Sequence, residues 1–299
     1  MFRIEVGNLE LRLEVIPVNA LFLHEEILPY VANELMLEFK NWANLQNPII
    51  IDDNNIVLDG NHRAYVFKEL KFRYISACRI DYFNRNVQLR YWFRLLENIE
   101  GVDLLRRIVE QMNGTLRQVD DKQALKETLQ NNNLSCGIQQ GNFYASISFD
   151  QQIVNDAISA YAVLGKIQDQ LVQRGIGLRY FPCQHVDETQ FCRKLKDCEM
   201  IIWTPHITKE MVVDAAKRER VFAPRSTRHL VSPRPLNVNV PSYWFRENVS
   251  LDEVNRRFSQ FLEHKDLEHF GPGQVIDGRY YGEELLFFFD KKNGFAKIK

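Results

Sequence analysis

The stretch from Ile56 to Tyr65 constrains the fold most, because it predicts a strand, a tight turn and a helix in direct succession. Gly60 forms the turn and permits close backbone approach. Asp59, His62 and Arg63 then lie at a helix N-terminus, where backbone N–H groups and the positive end of the helix dipole favour an anion. The stretch therefore predicts a phosphate-binding turn, although an ordinary β-turn capped by Asp59 would explain the same residues.

Composition and charge indicate a globular protein without a general attraction to polyanions. The chain of 299 residues is 45% hydrophobic and 26% charged, with a formal net charge of -1. Near-neutral charge argues against nucleic acid as the main partner. No apolar run approaches the ~18 residues of a membrane span, and the N-terminus lacks a signal-peptide pattern. We expect a cytoplasmic protein with no membrane partner.

The five cysteines contain no C-x-x-C pair, which favours a reduced intracellular protein over a disulfide scaffold. Cys183, Cys192 and Cys198 lie near His185 and could together bind a soft metal. Their spacing matches no common zinc pattern, so we interpret them as buried structural thiols.

Hydrophobic periodicity predicts an α+β unit in the first hundred residues. The predicted elements are a hairpin over 2–16 around Gly7, a helix over 30–42, strands over 48–52 and 56–58, a helix over 61–70, a strand over 74–82 and a helix over 87–97.

The remainder of the chain alternates helices with strands and shows no internal repeat. The predicted elements are helices over 102–112, 122–129 and 153–174, a hairpin over 137–148, a strand over 177–182, helices starting near Thr208 and Ser250, an extended segment over 232–241 and a terminal stretch over 279–289 that finishes in a buried strand.

A second polar cluster follows the helix near Thr208. Hydroxyl, guanidinium and imidazole groups, which are donors suited to anions, come from Ser226, Thr227, Arg228 and His229. An exposed polar loop is the alternative interpretation.

Taken in order, these segments resemble the ParB/sulfiredoxin-like superfamily. The matching residues are Leu-His-Glu-Glu at 23–26, Asn-Pro-Ile-Ile-Ile at 47–51 and Leu-Asp-Gly-Asn-His-Arg-Ala at 58–64. The Asp-Gly-x-His-Arg form is most similar to the free serine kinase branch, which includes an ADP-dependent archaeal kinase and an ATP-dependent kinase of siderophore precursor synthesis. Residues 222–229 and 234–241 resemble that branch's Pro-Pro-Lys-Thr-Thr-Arg-His and Arg-Pro-Leu-Asn segments. Asn61 replaces the usual first His, Ala223 and Arg225 replace Pro and Lys, and Ser226 replaces Thr.

The resemblance implies an α+β fold with a ParB/sulfiredoxin-like N-terminal lobe, a second α/β lobe and an active site in the cleft between them. It implies a nucleotide-binding domain over residues 1–100 and a C-terminal domain over 101–299 that closes the site. Residues 115–200 are longer than in the compact archaeal form, and we interpret them as a family-variable insertion.

The resemblance also implies roles for single residues. Glu25 would be the catalytic base, with Glu26 as the neighbouring alternative or a substrate contact. Asp59 would hold Mg²⁺ or orient the acceptor. The nucleotide would be bound by Gly60, Asn61, His62, Arg63, Ser226, Thr227, Arg228 and His229. Arg234 and Asn237 would bind the carboxylate of the amino acid or brace the loop.

The implied function is phosphorylation of free L-serine to O-phospho-L-serine with ATP or ADP and Mg²⁺. Homoserine and threonine are alternative acceptors, because a pocket discriminates weakly against one methyl or methylene group. The product would supply a pyridoxal-phosphate enzyme that makes cysteine or the siderophore precursor 2,3-diaminopropionate. The oligomeric state is left open.

Other function classes compete with this one. A ParB-like nucleotide-dependent DNA-binding or regulatory protein is the main alternative, and a basic face would favour it. A sulfiredoxin-like reductase needs a reactive Cys in the turn at 59–63, where none occurs. A non-catalytic heme or ligand sensor is a further alternative. The chain has no G-x-x-x-x-G-K-[ST] loop and no protein-kinase signature.

Overall fold

The computed structural model describes residues 2–132, 134–182 and 195–291 and divides into two compact units. The first unit combines residues 1–88 with 229–299, and the second contains residues 89–228. This division differs from the predicted boundary at residue 100, because the C-terminal segment returns to the first unit. The chain passes between the units through two short strands, one near residue 88 and one near residue 228.

The described residues contain seven α-helices. They are α1 Pro29–Lys40, α2 Asn61–Glu69, α3 Asp103–Gln111, α4 Lys122–Asn131, α5 Ala157–Gln173, α6 Lys209–Lys217 and α7 Leu251–Glu263.

The strands of the described residues are short, as is usual in mixed folds. They are β1 Phe2–Val6, β2 Leu9–Pro17, β3 Ile49–Ile51, β4 Val57–Asp59, β5 Tyr74–Arg79, β6 Val87–Arg90, β7 Trp92–Glu97, β8 Gly114–Val119, β9 Cys136–Gln140, β10 Phe143–Phe149, β11 Gly177–Pro182, β12 Glu199–Trp203, β13 Arg228–Val231, β14 Arg234–Leu236, β15 Lys265–Phe270, β16 Gln274–Ile276, β17 Arg279–Tyr281 and β18 Leu285–Asp290.

The first unit is built on a five-stranded mixed sheet with the order β1-β2-β5-β3-β4. The predicted hairpin of β1 and β2 turns at Gly7, whose φ is 60°. β3 runs parallel to β5, and the other neighbouring strands are antiparallel. β3 consists of three isoleucines, and all three are buried, as expected of a strand covered on both faces.

The C-terminal part of the first unit adds a three-stranded sheet, β14-β18-β15, and helix α7. α7 begins as predicted, because the Ser250 hydroxyl accepts a hydrogen bond from the Glu253 N–H. It packs along β2, and the Asn255 side chain bonds both the N–H and the carbonyl of Val15, each at 2.8 Å. The C-terminal segment therefore forms hydrogen bonds with backbone groups of the N-terminal sheet.

The second unit contains a six-stranded antiparallel sheet with the order β11-β7-β12-β9-β10-β8. Its α5 starts at Ala157, four residues later than predicted, and the N-cap residue Asp156 forms a capping box with Ser159. Phe93, Leu95 and Trp203 belong to a core cluster that also includes Leu125 of α4.

The predicted helix over residues 87–97 is wrong, because this stretch forms β6 and β7. β7 pairs with β11 on one side and β12 on the other, and its four central residues are buried. A strand buried on both faces is a continuous apolar run, and periodicity alone does not separate such a run from a helix.

No helix in the described ranges is long and apolar enough to cross a membrane.

Candidate functional site

The predicted turn between β4 and α2 forms around Gly60, which is the N-cap residue of α2. Gly60 has φ 96°, and a Cβ atom there would lie 2.7 Å from Ile49 Cγ2 and 2.9 Å from Arg63 Nη2. Only glycine fits this position. No side chain caps the α2 N-terminus, so the helix presents its positive end at the turn.

Asp59 closes β4 and is surrounded by cationic groups. Its Oδ2 accepts hydrogen bonds from Arg63 Nη2 at 3.2 Å and Arg234 Nη1 at 3.0 Å. Burial alone would raise the pKa of Asp59, but the charges of Arg234, Arg279, Arg63 and His229 outweigh it and hold the pKa well below its usual range. Asp59 is therefore a carboxylate at any physiological pH.

Arg234 is the structural centre of the site and is 2% exposed. Its Nε donates to Glu283 at 2.7 Å, and its Nη2 donates to the carbonyl of His229 at 2.7 Å. With the Nη1 bond to Asp59, all three nitrogens are used within the protein. These are the bonds that a bracing role requires, and the choice between the two predicted roles of Arg234 stays a prediction.

Arg63 also bonds to the protein itself. Beyond Asp59, its guanidinium donates to the carbonyls of Asn47 and, at 3.1 Å, Pro48, just before β3. Arg63 thus fixes the turn against the segment that leads into β3. The predicted contact of Arg63 with phosphate oxygens stays a prediction, because its fork is largely occupied by protein acceptors.

The segment that carries the predicted base is fastened to the turn at both ends. His24 Nδ1 lies 2.6 Å from the Val57 carbonyl of β4, and the Leu28 N–H donates to His62 Nε2 at 3.0 Å. Glu25 and Glu26 lie between these anchors, Glu25 half-buried and Glu26 exposed. The partial burial of Glu25 favours it over Glu26 as the base.

Two buried histidines lie next to this segment. The rings of His24 and His229 meet edge-on with centroids 5.4 Å apart, and His229 Nε2 lies 2.8 Å from the Tyr82 hydroxyl. Burial lowers the pKa of His24 to about 4, so it is neutral at pH 7. Since Nδ1 faces a carbonyl oxygen, the proton of neutral His24 is on Nδ1.

The structure places the predicted loop around Ser226 in the second unit, up to Arg228. The Ser226 hydroxyl donates to the Ala223 carbonyl at 2.5 Å, and the Thr227 carbonyl accepts from Trp92 Nε1 at 3.0 Å. The Arg228 guanidinium stacks over the Trp92 ring at 5.5 Å. These side chains are buried, so the exposed-loop alternative is wrong. Their binding of nucleotide stays a prediction.

The other predicted residues have local roles. Asn237 Nδ2 donates to the Phe288 carbonyl at 2.8 Å, and its N–H donates to Asn47 Oδ1 at 2.7 Å. Asn237 therefore links β14 to β18. Asn61 is buried, and its Oδ1 has no hydrogen-bond partner among the described residues, so it is one acceptor that a ligand in the turn could use.

Four residues of the site were missed from the sequence. Glu283 holds Arg234, Arg279 adds charge near Asp59, Tyr82 bonds His229, and His24 supports the base segment. Only His24 had a usable signal, since it lies in the matched segment at 23–26.

Among the described cysteines, Cys78 and Cys136 are buried and Cys198 is exposed, so the interpretation of Cys198 as a buried thiol is wrong. No group of three or more His, Cys, Asp or Glu side chains in the described residues could hold a metal ion. Burial raises the pKa of Cys78 and of Cys136 to about 12, so neither is a reactive thiolate. Cys183, Cys192 and His185 of the predicted thiol cluster lie outside the described residues.

No family profile matches the chain. The structure nevertheless has the fold of the free serine kinases. A free serine kinase in complex with AMP covers 78% of this chain and 93% of its own with a TM-score of 0.62 at 17% identity. A C-terminally truncated SbnI from Staphylococcus aureus covers 84% and 95% with a TM-score of 0.64 at 14% identity. The predicted fold class is confirmed.

Several curated protein sequences are also similar to this chain. An ATP-dependent L-serine kinase of Staphylothermus marinus is 25% identical over 240 residues, or 76% of this chain and 88% of the relative. A ParB-like protein of Sulfolobus acidocaldarius is 26% identical over 220 residues, or 73% and 90%. These relatives confirm the predicted resemblance to L-serine kinases and to ParB-like proteins.

Proposed function

We propose that this protein is a kinase that phosphorylates the hydroxyl of free L-serine and produces O-phospho-L-serine. The observation that carries the proposal is the ionised Asp59 at an uncapped helix N-terminus, with Arg63, Arg234 and Arg279 around it. A polyphosphate and its counter-charges need this combination of positive field and one fixed carboxylate. The choice of L-serine as the phosphoryl acceptor is based on the similarity to L-serine kinases.

The transfer moves one phosphoryl group from nucleotide to serine. The bond between the terminal phosphorus and its bridging oxygen breaks, and a bond forms from that phosphorus to the serine Oγ. The hydroxyl proton goes to Glu25, and the nucleotide leaves with one phosphate fewer. Glu25 suits this role because the anchors at His24 and Leu28 hold its segment beside the turn.

Mg²⁺ fits the site only as part of a nucleotide complex. Asp59 offers one carboxylate, and its Oδ2 already accepts from two guanidinium groups. Since Mg²⁺ in phosphoryl-transfer sites is commonly held by one or two carboxylates and by phosphate oxygens, Asp59 would supply the protein ligand. When bound, Mg²⁺ would neutralise charge on the transferred phosphate.

The proposed donor is ATP, because the L-serine kinase at 25% identity is ATP-dependent, whereas an ADP-dependent relative of Thermococcus kodakarensis is 20% identical. Gly60, Asn61 and His62, with Ser226, Thr227, Arg228 and His229, are the proposed nucleotide ligands. The product would supply a pyridoxal-phosphate enzyme of cysteine or 2,3-diaminopropionate synthesis in the cytoplasm.

The direct test is incubation of the purified protein with Mg²⁺, L-serine and either ATP or ADP, followed by detection of O-phosphoserine by mass spectrometry. Parallel reactions with homoserine and threonine define the acceptor. Failure to form any phosphorylated amino acid with either nucleotide would contradict the proposal.

The base is tested by Glu25→Gln with Glu26→Gln as the matched control. We expect Glu25→Gln to reduce kcat by about 10²–10⁴-fold, the usual contribution of a general base, with nucleotide affinity largely unchanged. Glu26→Gln should retain most of kcat. The opposite pattern would assign the base to Glu26.

The ParB-like relative supports one rival function, nucleotide-dependent DNA binding. An electrophoretic mobility shift with duplex DNA at moderate salt separates the two. We expect no shift, because the net charge is -1. A strong shift together with absence of phosphoserine would favour the ParB-like function.

A further inference from the structure

The second unit contains a cavity of about 490 Å³ beside α4 and the C-terminal end of β12. This volume is within the usual range for small-molecule sites. The residues that define its chemistry are Tyr91, Lys126, Leu129, Trp203, Thr204 and His206.

One wall of the cavity is aromatic and carries lysines. Phe93 links Tyr91 and Trp203 in edge-on contacts with centroid distances of 5.2 and 5.3 Å. The ammonium groups of Lys122 and Lys126 lie over the Trp203 ring at 5.4 and 5.8 Å. A flat molecule can pack on such a wall while an ammonium group binds its charge.

Two buried polar atoms at this wall lack partners. Trp203 is 4% exposed and Thr204 is 8% exposed. Within the described ranges, neither the Trp203 Nε1 nor the Thr204 Oγ1 has a hydrogen-bond partner. Buried donors are normally satisfied, so their presence beside a cavity indicates a ligand with acceptor atoms.

The charges of the lining residues indicate the sign of the charge on that ligand. Among the described residues, the lining of the cavity includes Lys126 and the imidazole of His206 and contains no acidic side chain. An anionic acceptor group therefore fits, and the apolar surfaces of Tyr91 and Leu129 fit an apolar body.

The cavity lies on the opposite face of the sheet from the loop around Ser226. Side chains alternate along a strand. Trp92 bonds the Thr227 carbonyl and Arg94 stacks on Tyr161 of α5, whereas Phe93 packs against Trp203 on the other face. The cavity is thus separate from the predicted nucleotide loop of this unit.

We propose that this cavity is a second ligand site, which binds a small carboxylate with a flat apolar body. Its ring would pack against Trp203 and Tyr91, and its carboxylate would accept from Lys126. The Trp203 indole N–H and the Thr204 hydroxyl, which belong to residues lining the same cavity, are the further donors available to it. This site is additional to the serine kinase activity and does not depend on it.

The test is titration of the intact protein with benzoate while the indole N–H resonances of its four tryptophans are observed by NMR. Trp203→Phe assigns the relevant signal. We expect benzoate to shift the Trp203 signal saturably, and saturating ATP should leave this binding intact. Benzyl alcohol, which lacks the charge, should bind at least tenfold more weakly. Absence of a saturable shift, equal binding of benzyl alcohol, or competition by ATP would each overturn the proposal.

Lys126→Gln provides the side-chain test, with Lys166→Gln, an exposed lysine of α5 outside the cavity, as the control. Loss of a hydrogen bond to a charged group changes Kd by roughly tenfold, so Lys126→Gln should weaken the binding of benzoate by about that factor. Lys166→Gln should match the wild type. Thermal melting confirms that both variants are folded. Equal benzoate affinity of the two variants would contradict the assignment to Lys126.

Discussion

Guanidinium groups from separate parts of the chain surround the Asp59 carboxylate. Arg63 comes from the adjacent helix, and Arg234 and Arg279 come from the C-terminal segment. Arg63 and Arg234 are largely used by protein acceptors, while Arg279 is exposed and stacks over Tyr281 at 4.8 Å. Within the described residues Arg279 makes no ion pair. Its charge is therefore the one best available to an incoming phosphate.

Arg279→Gln is expected to raise the nucleotide KM by about tenfold, because a hydrogen bond to a charged group is worth roughly 1.5–3 kcal/mol. The pKa of Asp59 should rise at the same time, since one of the cations that depress it is lost. Steady-state kinetics with varied nucleotide measure the effect. Arg3→Gln, at an exposed position on β1, is the control and should not change KM. An unchanged KM in Arg279→Gln would remove Arg279 from the site.

His24 predicts a pH dependence of stability. Its pKa is about 4 when folded against 6.5 for an ordinary histidine, because burial disfavours the charged form. The unfolded chain therefore binds this proton first as the pH falls. The stability that comes from burying neutral His24 is fully present above pH 6.5. It is lost as the pH falls from 6.5 to 4, and the free energy of unfolding decreases by about 3 kcal/mol in total.

Urea unfolding at several pH values between 6.5 and 4 measures this contribution. His24→Asn retains a donor toward Val57 but does not titrate, so its unfolding free energy should depend less on pH than that of the wild type. His264→Asn, at an exposed histidine, should retain the wild-type slope. Equal slopes for all three proteins would contradict the assignment to His24.

The local sequence pattern was sufficient to predict the turn at Asp59, but it did not predict the distant residues that hold this turn in place. Strand, glycine and helix follow one another between Ile56 and Tyr65, so the turn could be predicted from adjacent residues. Glu283 contacts Arg234 across 49 residues of chain, and no spacing rule connects two such positions. Buried ion pairs of this kind depend on tertiary structure.

Among the elements, β2 and α7 show how a helix side chain can form hydrogen bonds with the free backbone groups at the edge of a strand. β1 pairs with β2 only as far as Leu13, so Val15 lies beyond the end of β1. The amide of Asn255 on α7 supplies the missing donor and acceptor to Val15. A helix side chain thus replaces one pair of ladder hydrogen bonds.

Asn255→Ala is expected to destabilise the protein by about 1–3 kcal/mol, because the N–H and carbonyl of Val15 would lose their partners. Urea unfolding measures the change. Gln260→Ala on the exposed side of the same helix should change stability by less than about 0.5 kcal/mol. A loss in Asn255→Ala no larger than that of the control would show that water replaces the amide.

Element prediction succeeded where turns and caps bounded a segment and failed where they did not. The β1–β2 hairpin and the start of α6 at Thr208 had such signals. β7 had none, since Trp92 to Glu97 mixes apolar residues with Arg94 and Glu97 and shows no clear period. Its identity as a strand depends on β11 and β12, which lie far away in sequence.

At the scale of the molecule, the first unit is made from both ends of the chain and the second from the middle. The sequence predicted two consecutive domains because it contains no linker that would reveal a return. Arg234, Glu283 and Asn255 all contact partners in the first 88 residues or support those that do. The first unit is therefore expected to need residues after 228 in order to fold.

A chain truncated after Arg228 tests this expectation. Hydrogen exchange should show loss of protection in peptides from β2 to β5, because α7 and β14 are absent, while peptides from β9 and β10 stay protected. The full-length protein, measured in parallel, is the reference. Full protection of residues 2–88 in the truncated chain would show that the N-terminal sheet folds alone.

The discontinuous first unit also affects how the protein is made on the ribosome. The N-terminal strands emerge first, but their partners Arg234, Asn255 and Glu283 follow only after residues 89–228 have been synthesised. At ordinary translation speeds this delay is on the order of ten seconds. During that time Val15 of β2 lacks its partner Asn255, and a nascent-chain chaperone is the kind of factor that would protect the incomplete unit.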